Sequence, residues 1–455
     1  GDGESAGGGL PAPAPSPPLS VKITGEVSAR LLGYTDDFSS FSDFKKTTLG
    51  DVFEGKLNVS ASAANAEAVI NLRLAPVFDG SASPVALDQA YLRAFFGKWI
   101  IDGGLRKLTW GKADSFGPLD VVNPIDYTDL TSITDTHSRK IPRPLVSASY
   151  TFGAFTKLEG VFLPWFEGHR FARSGRWAPR QITEAADLIG RNVIAGLGQS
   201  TLLPAEQQAV LAHYQNLSAS SFYPETTGME YAQTGLRFTT TIRSSDVGFQ
   251  YFFGNHFRPS ITIGGIDDFA RNPYGVEPVI DFSRYHQIGA DYAQVVLGFN
   301  LRAELAAHIT GDLAGDDGRV YNPSLWWSLG FDREFALFWG AWRLTLNLQV
   351  TEGIRVWYSR IGSRPETDGE AGAGATSTRV TVILGSKFFM DELECKVTGI
   401  WGVEDRDFFI IPGIFWTKGD VTAELSAGFL GGDRTGELGQ YHKNSFIKAG
   451  LTYSF

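Results

Sequence analysis

Residues of opposite character take turns along this chain, segment after segment. That period of two constrains the fold more than any other feature, because neighbouring side chains on an extended strand point to opposite faces. Between Ala341 and Val350, Trp342, Leu344, Leu346, Leu348 and Val350 share one face, and Arg343, Thr345, Asn347 and Gln349 share the other. Leu325, Trp327, Leu329 and Phe331 likewise oppose Trp326, Ser328, Gly330, Asp332 and Glu334. From Leu297 onward, Phe299, Leu301, Ala303, Leu305, Ala307 and Ile309 oppose Asn300, Arg302, Glu304, His308 and Thr310. A β-sandwich also alternates, but its strands run to about 5 to 6 residues, whereas a membrane-crossing strand needs about 9 to 11. Charge at mid-strand on one face and Trp and Phe near the ends of the other suit water inside a closed wall and lipid outside it. The pattern predicts an all-β, antiparallel, up-and-down transmembrane barrel.

Composition agrees. Hydrophobic residues make up 43% of 455, the mean hydropathy is -0.08, and no run reaches the roughly 18 to 20 apolar residues of a spanning helix. The 33 Phe, 15 Tyr and 11 Trp suit aromatic girdles at two membrane interfaces. A net charge of -10 argues against nucleic acid as a partner, since phosphate neutralisation needs a basic surplus. One cysteine, Cys395, excludes an internal disulfide framework and a multi-cysteine zinc site.

Residues 1–19, rich in Gly, Pro, Ala and Ser, have too little apolar content to fold and read as a flexible periplasmic tail. Residues 20–455 form the barrel. Alternation broken by Gly, Asp, Asn and Pro clusters marks about 18 strands, with 16 as the lower bound. They begin near Ser20, Gly50, Ala68, Leu87, Trp99, Leu145, Phe155, Thr227, Asp246, Val279, Leu297, Ser324, Gly340, Thr376, Glu392, Asp407, Asp420 and Lys443. Short links fall at Ala64-Asn65, Gly97-Lys98, Gly153-Ala154, Ser244-Ser245, Val295-Val296, Trp339-Gly340, Met390-Asp391 and Lys418-Gly419, and most connections between them are long. Short turns belong to the periplasmic side of such barrels and long loops to the outside, so the parity puts both termini in the periplasm.

The final strand carries Ile447, Ala449, Leu451, Tyr453 and Phe455 on one face and ends on Phe. Here the chain resembles bacterial outer-membrane proteins, whose last strand commonly ends in an aromatic in phase with apolar residues. The resemblance implies location in the outer membrane among its lipids, and transient binding to the barrel assembly machinery through Leu451, Tyr453 and Phe455. A second stretch, LTWGKADSFGPLDVVNPIDYTDL from Leu108 to Leu130, resembles one in poorly characterised families of large outer-membrane channels and exporters. It assigns no substrate. Its Gly111, Gly117, Pro118 and Pro124 dictate turns, and Asp114, Asp120, Asn123 and Asp126 accept backbone hydrogen bonds that cap them. Together with Trp110 these residues define a loop, spanning 110–143, that either folds into the lumen as a constriction or orders itself on the surface. The carboxylates from Asp114 to Asp135 offer oxygen ligands for calcium, but their spacing does not fit an EF-hand and turn capping accounts for them. No metal and no cofactor is expected.

The longest loop, 166–225, switches to helical spacing. Ile182, Ala185, Ala186, Ile189 and Val193 recur on one side, and Pro204 opens a second helix with Val210, Tyr214 and Leu217. A helical hairpin at the extracellular mouth follows. Before it, His169, Arg170, Arg173, Arg176 and Arg180 interleave with Trp165, Phe171 and Trp177. That run is either a site for phosphates or anionic solutes or a solvated loop face.

By alternation, Lys56, Arg73, Arg93 and Arg106 point inward from four consecutive strands, and Arg237, Arg302 and Arg343 point inward from later ones. A row of cations along one wall gives a pore anion preference. Glu54, Asp102, Asp291, Glu304, Asp332, Glu334, Glu394 and Glu424 also point inward, so mutual neutralisation is the competing reading, with Lys396 and Lys448 as further partners. No His-Glu-x-x-His helix, Gly-x-Ser-x-Gly elbow or phosphate-binding Gly-Lys-Thr loop is present, and no enzyme is expected. These features predict a passive, substrate-selective channel for small polar or anionic solutes, lined by the seven inward cations. Two alternatives remain at this stage. One is a barrel resembling fatty-acid transporters, favoured by inward Tyr91, Phe95 and Trp326; the other is an adhesin or structural barrel closed by its loops.

Overall fold

The computed structural model describes residues 19–35, 53–74, 85–215, 223–262, 266–275, 279–317, 320–337, 342–358 and 374–455. The tail before Leu19, the Trp339-Gly340 link and Leu217 lie outside them. Alternating segments become eighteen antiparallel strands of one sheet. In chain order these are β1 (Ser20–Tyr34), β2 (Phe53–Ser62), β3 (Ala66–Leu74), β4 (Val85–Phe96), β5 (Trp99–Arg106) and β6 (Arg143–Phe152). There follow β7 (Thr156–Leu163), β8 (Gln233–Ile242), β9 (Ser245–Asn255), β10 (Arg284–Val296), β11 (Phe299–Thr310) and β12 (Ser324–Leu337). The last six are β13 (Trp342–Arg355), β14 (Thr376–Phe388), β15 (Leu393–Gly402), β16 (Asp407–Lys418), β17 (Val421–Gly432) and β18 (Phe446–Ser454). Each strand pairs with the next, and β18 returns to β1 from Glu26↔Ser454 to Tyr34↔Phe446, so the sheet is a closed barrel with no free edge. Phe455 extends that seam, exchanging backbone hydrogen bonds with Gly25 at 2.9 Å in each direction.

Among the strand starts that fall on described residues, two differ from the sequence expectation by more than three residues, and the starts expected at Gly50 and Gly340 lie outside them. Thr227 precedes a 3-10 turn at Met229–Tyr231, so β8 starts at Gln233. Val279–Asp281 alternates because it pairs with Ser260–Thr262 in a separate small ladder above the wall, and β10 starts only at Arg284.

The outer face is a continuous apolar belt. On β1, Val21, Ile23, Val27 and Leu31 are each more than half exposed, and the same holds on distant strands for Leu92, Phe249, Ile288 and Leu425. So much exposed hydrocarbon on every side is a surface made for lipid. Phe96, Trp99, Phe152, Trp342, Trp416 and Phe455 stand exposed near one rim, where an aromatic girdle belongs. At that rim the connections are two to four residues long, with left-handed residues such as Gly97, Gly153, Leu297, Gly298 and Gly419 turning the chain. The opposite rim carries the long connections, the four-residue link between β15 and β16 excepted.

The two longest connections are residues 107–142 and 164–232, slightly wider than the sequence suggested. The second holds α1 (Arg180–Gln199) and α2 (Pro204–Gln215). Val193 and Leu197 of α1 and Val210 of α2 close on Phe269, which comes from a third helix in another connection, α3 (Ile266–Arg271). Six residues are too few to show a helical period, so α3 had no signal in the sequence.

Candidate functional site

The connection from β5 to β6 turns inward and crosses the lumen. Asn123 fastens its neck: Oδ1 accepts the Leu108 N–H at 2.7 Å, while Nδ2 donates to the carbonyls of Arg106 and Ile141 at 3.0 and 2.9 Å. Both donors and the carbonyl oxygen of one buried amide thus go into holding the two limbs together. Trp110, 3% exposed, wedges against Phe252 edge-on with ring centroids 6.2 Å apart, and its indole N–H donates to Glu159 at 3.2 Å. Gly235 makes room for it, because a Cβ there would stand 2.6 Å from the indole ring.

Beyond Trp110 the loop wraps around a carboxylate from the far wall. Glu304 of β11 accepts the backbone N–H groups of Lys112, of Ala113 at 2.7 Å and of Leu119 at 3.3 Å. Gly111 at φ +90° lets the backbone come this close, since a Cβ would lie 2.3 Å from Glu304 Oε1. Gln349 of β13 accepts from Asp114 N at 2.9 Å and donates to the Ser115 carbonyl. Gln250 and Gln287 donate to the carbonyls of Leu119 and Pro118 at 2.9 and 2.8 Å. Side chains on the inner faces of β9, β10, β11 and β13 therefore stand in for the strand partners that the loop backbone lacks.

The acidic residues of the loop are all engaged, Asp114 by the wall and the others within the loops. Asp114 pairs with Arg302 at 2.5 Å and accepts from Asn347 at 2.6 Å. Asp120 takes Lys140 at 2.6 Å. Asp126 caps Thr128 N at 2.9 Å and meets Arg170 at 3.4 Å, and Asp129 and Asp135 cap Thr131 and Ser138. Among the described residues no cluster of three or more His, Cys, Asp or Glu is arranged to hold a metal ion.

Register places Lys56, Arg73, Arg93, Arg106, Arg237, Arg302 and Arg343 on the inner face, all but Arg106 opposite or diagonal to inward carboxylates on a neighbouring strand. Glu54 binds Arg73 at 2.8 Å and Arg30 at 2.7 Å; Asp102 binds Arg93 at 2.8 Å and also Arg106; Lys56 reaches Glu26 at 3.3 Å. Arg237 pairs with Asp291 at 2.6 Å, Arg302 with Asp332 as well as Asp114, and Arg343 with Glu334 at 3.3 Å. The row exists, and it is interleaved with acid. The run before α1 is likewise dispersed. His169 accepts the Ile125 N–H at 2.9 Å, Arg176 lies over the Tyr34 ring at 4.1 Å, and Arg180 pairs with Glu184 at 2.9 Å.

Between the inner loop and the wall from β11 to β14 lies a cavity of about 320 Å³. Asp114, Arg139 and Lys140 from the loop border it, with Trp326 and Arg379 from the wall and Glu437 from the β17–β18 connection. Alternation could place Arg379 on the inner face. Nothing in the sequence marks Arg258 or Glu437, which sit in connections without a period.

A closed eighteen-stranded wall, greasy outside and polar inside, with a loop folded into its lumen, defines a porin-like transmembrane β-barrel. The chain matches no protein-family model and no curated protein sequence. Among solved structures it is similar to OccAB4 of Acinetobacter baumannii, at 9% identity over 97% of this chain and 99% of that one, with a TM-score of 0.48. It is similar too to OpdK of Pseudomonas aeruginosa, solved with vanillate, at 10% identity over 96% and 98%, TM-score 0.49. A BenF-like porin from Pseudomonas fluorescens Pf-5 gives 8% identity over 96% and 98%, again at 0.49. Likeness this loose transfers nothing of what those proteins carry.

Proposed function

We propose that this chain is a passive channel of the bacterial outer membrane, admitting small polar or anionic solutes down their gradient. The observation that carries the reading is the inner loop. A wall whose interior was merely packed would need no tethered backbone segment crossing it, whereas a pore that selects solutes needs a narrowing lined by charge. Asp114, Arg139 and Lys140 of the loop and Arg379 of the wall border the cavity, so a solute there meets charges of both signs. The cations Arg73, Arg93 and Arg106, two of them sharing Asp102, give the β3 to β5 wall its attraction for anions.

The rim of short turns faces the periplasm in this reading, and with it both ends of the barrel. Phe455, stacked on Tyr453 with centroids 6.2 Å apart, would present the last strand to the assembly machinery. The deciding measurement is conductance of the purified protein in a planar lipid bilayer, with ionic selectivity from reversal potentials under a salt gradient. Salt-dependent currents support the channel; a silent, folded barrel overturns it in favour of a barrel closed by its loops.

A further inference from the structure

Two long connections and one wall strand meet above the lumen cavity at a single carboxylate. Glu437, on the connection between β17 and β18, offers Oε1 to Arg258 Nη2 at 2.5 Å and Oε2 to Arg379 Nη2. Arg258 comes from the connection between β9 and β10, and Arg379 from the inner face of β14. The three side chains keep 24%, 20% and 29% of their surface exposed for Arg258, Arg379 and Glu437, so the triad borders open space.

That space is a junction. All three residues border the cavity of about 320 Å³ above the inner loop and a smaller one of about 100 Å³ among the connections. The smaller cavity is walled by Phe116, Leu130, Ile133, Ile182, Leu438 and Tyr441. The Arg379 guanidinium also lies over the Phe116 ring at 5.3 Å, which ties the triad to the inner loop.

Burial by itself would push the Glu437 carboxyl up, but the guanidiniums of Arg379 and Arg258 overcome it and hold the group well below the usual carboxylate range. Protonation therefore does not open the triad under ordinary conditions. Another anion can. Removing the carboxylate without replacement would leave two half-buried guanidiniums facing each other, whereas exchanging it for a second carboxylate restores the charge-assisted bonds that Glu437 gives up.

We propose that Glu437 is an internal stand-in for solute: a small carboxylate with an apolar body replaces it between Arg258 and Arg379 and thereby opens the route from the loops to the lumen. The apolar body occupies the neighbouring cavity between Phe116, Leu438 and Tyr441, and the displaced Glu437 side chain swings off the junction. A cavity of about 150 Å³ lined by Leu, Ile and Phe accepts benzene; the smaller one here suits a branched alkyl group or, after modest side-chain shifts, one ring. This inference rests on the channel reading and deepens it by naming a solute class.

The test uses the full chain in detergent, its fold checked by heat-modifiable gel migration. 3-Phenylpropionate and its uncharged analogue 3-phenylpropan-1-ol are titrated calorimetrically into the wild type, Glu437→Gln and Arg379→Met. The acid should bind the wild type and the alcohol should not; Glu437→Gln should bind the acid about tenfold more tightly, because the internal competitor is gone; Arg379→Met should lose it. In bilayers the acid should raise wild-type conductance, and Glu437→Gln should conduct more without it. Equal or weaker binding by folded Glu437→Gln, or equal binding of acid and alcohol, overturns the proposal. If the protein conducts but binds no acid, the latch falls and the channel reading stands. If the acid binds in the expected order while no variant conducts, the site survives and the channel reading falls.

Discussion

The wall from β2 to β5 and the wall from β8 to β13 are written in the same alternating code, yet their inward charges live differently. On the first, Arg73 keeps 58% of its side chain exposed, and the ladder settles its charge among its own neighbours through Glu54 and Asp102. On the second, Glu304, Gln250, Gln287, Gln349 and Asp291 are buried, and all but Asp291 take backbone groups of the inner loop as partners. Alternation decides which face a side chain takes. What that face meets is decided by a loop nearly two hundred residues away in sequence from Glu304.

The sharpest way to break this contrast is Trp110→Ala. If the second wall truly holds the loop, deleting a buried indole at their junction should cost ~3–5 kcal/mol of stability, read by denaturant unfolding in detergent. The conductance should rise as the loop loosens. Glu304→Ala comes next. It strands three loop N–H groups at once, and a loss of ~2–3 kcal/mol is expected, with Glu304→Gln, which keeps an acceptor, losing less. Arg93→Gln on the first wall should fall within ~1 kcal/mol, as partly exposed pairs do. Equal losses for Glu304→Ala and Arg93→Gln would erase the distinction between the walls.

A pH scan probes the loop from the other side. Burial first, and then the charges of Arg258 and Arg139, hold His169 well below its ordinary range, and burial pushes His256 down to about 4. Each is neutral in the fold and binds a proton more readily when released, so the unfolded side gains protons as pH falls below about 6.5. Their contribution to stability is complete above that value and is lost progressively toward pH 4. His169 also accepts the Ile125 N–H at 2.9 Å through Nδ1, which protonation would forbid. Protease cleavage within residues 107–142 should therefore accelerate between pH 6.5 and 4, and His169→Gln should flatten the dependence; a flat wild-type profile would show that the loop is held elsewhere.

How much of this was legible follows from the same contrast. A period of two needs only local residues, so the strand ladder, its inward and outward sets and the phase of Phe455 could be read along the chain. Pro204 at the first turn of α2 and the spacing of Ile182, Ile189 and Val193 gave the helices in the same way. Turn residues marked 110–143 as an ordered loop, but whether it lay inside or outside depended on Glu304 and Gln349 finding its amides, and nothing local encodes that meeting. Glu437 is the extreme case, since its two partners come from separate parts of the barrel.

On the first wall, replacing Arg73, Arg93 and Arg106 together with Gln should shift reversal potentials toward cations while leaving the protein folded. Glu54 and Asp102 would then face the lumen with fewer partners, and the sign of the wall would change. Unchanged selectivity would mean that the acids had already cancelled the row.

The smallest effect is expected where a pair has no wall behind it. Arg180 and Glu184 meet on α1 through two contacts, at 2.9 and 3.2 Å, but their side chains are 43% and 55% exposed. Water screens such an i,i+4 pair, and Glu184→Gln should change stability by no more than ~0.5 kcal/mol. Arg180 has a second attachment: its guanidinium donates to the Arg434 carbonyl at 3.2 Å and its backbone N–H to Gln440 at 2.9 Å, on the connection that carries Glu437. Arg180→Gln removes the guanidinium contact as well as the ion pair, and Gln440→Ala removes the other. If Arg180→Gln costs clearly more than Glu184→Gln, the helix is moored to the β17–β18 connection and not merely solvated beside it.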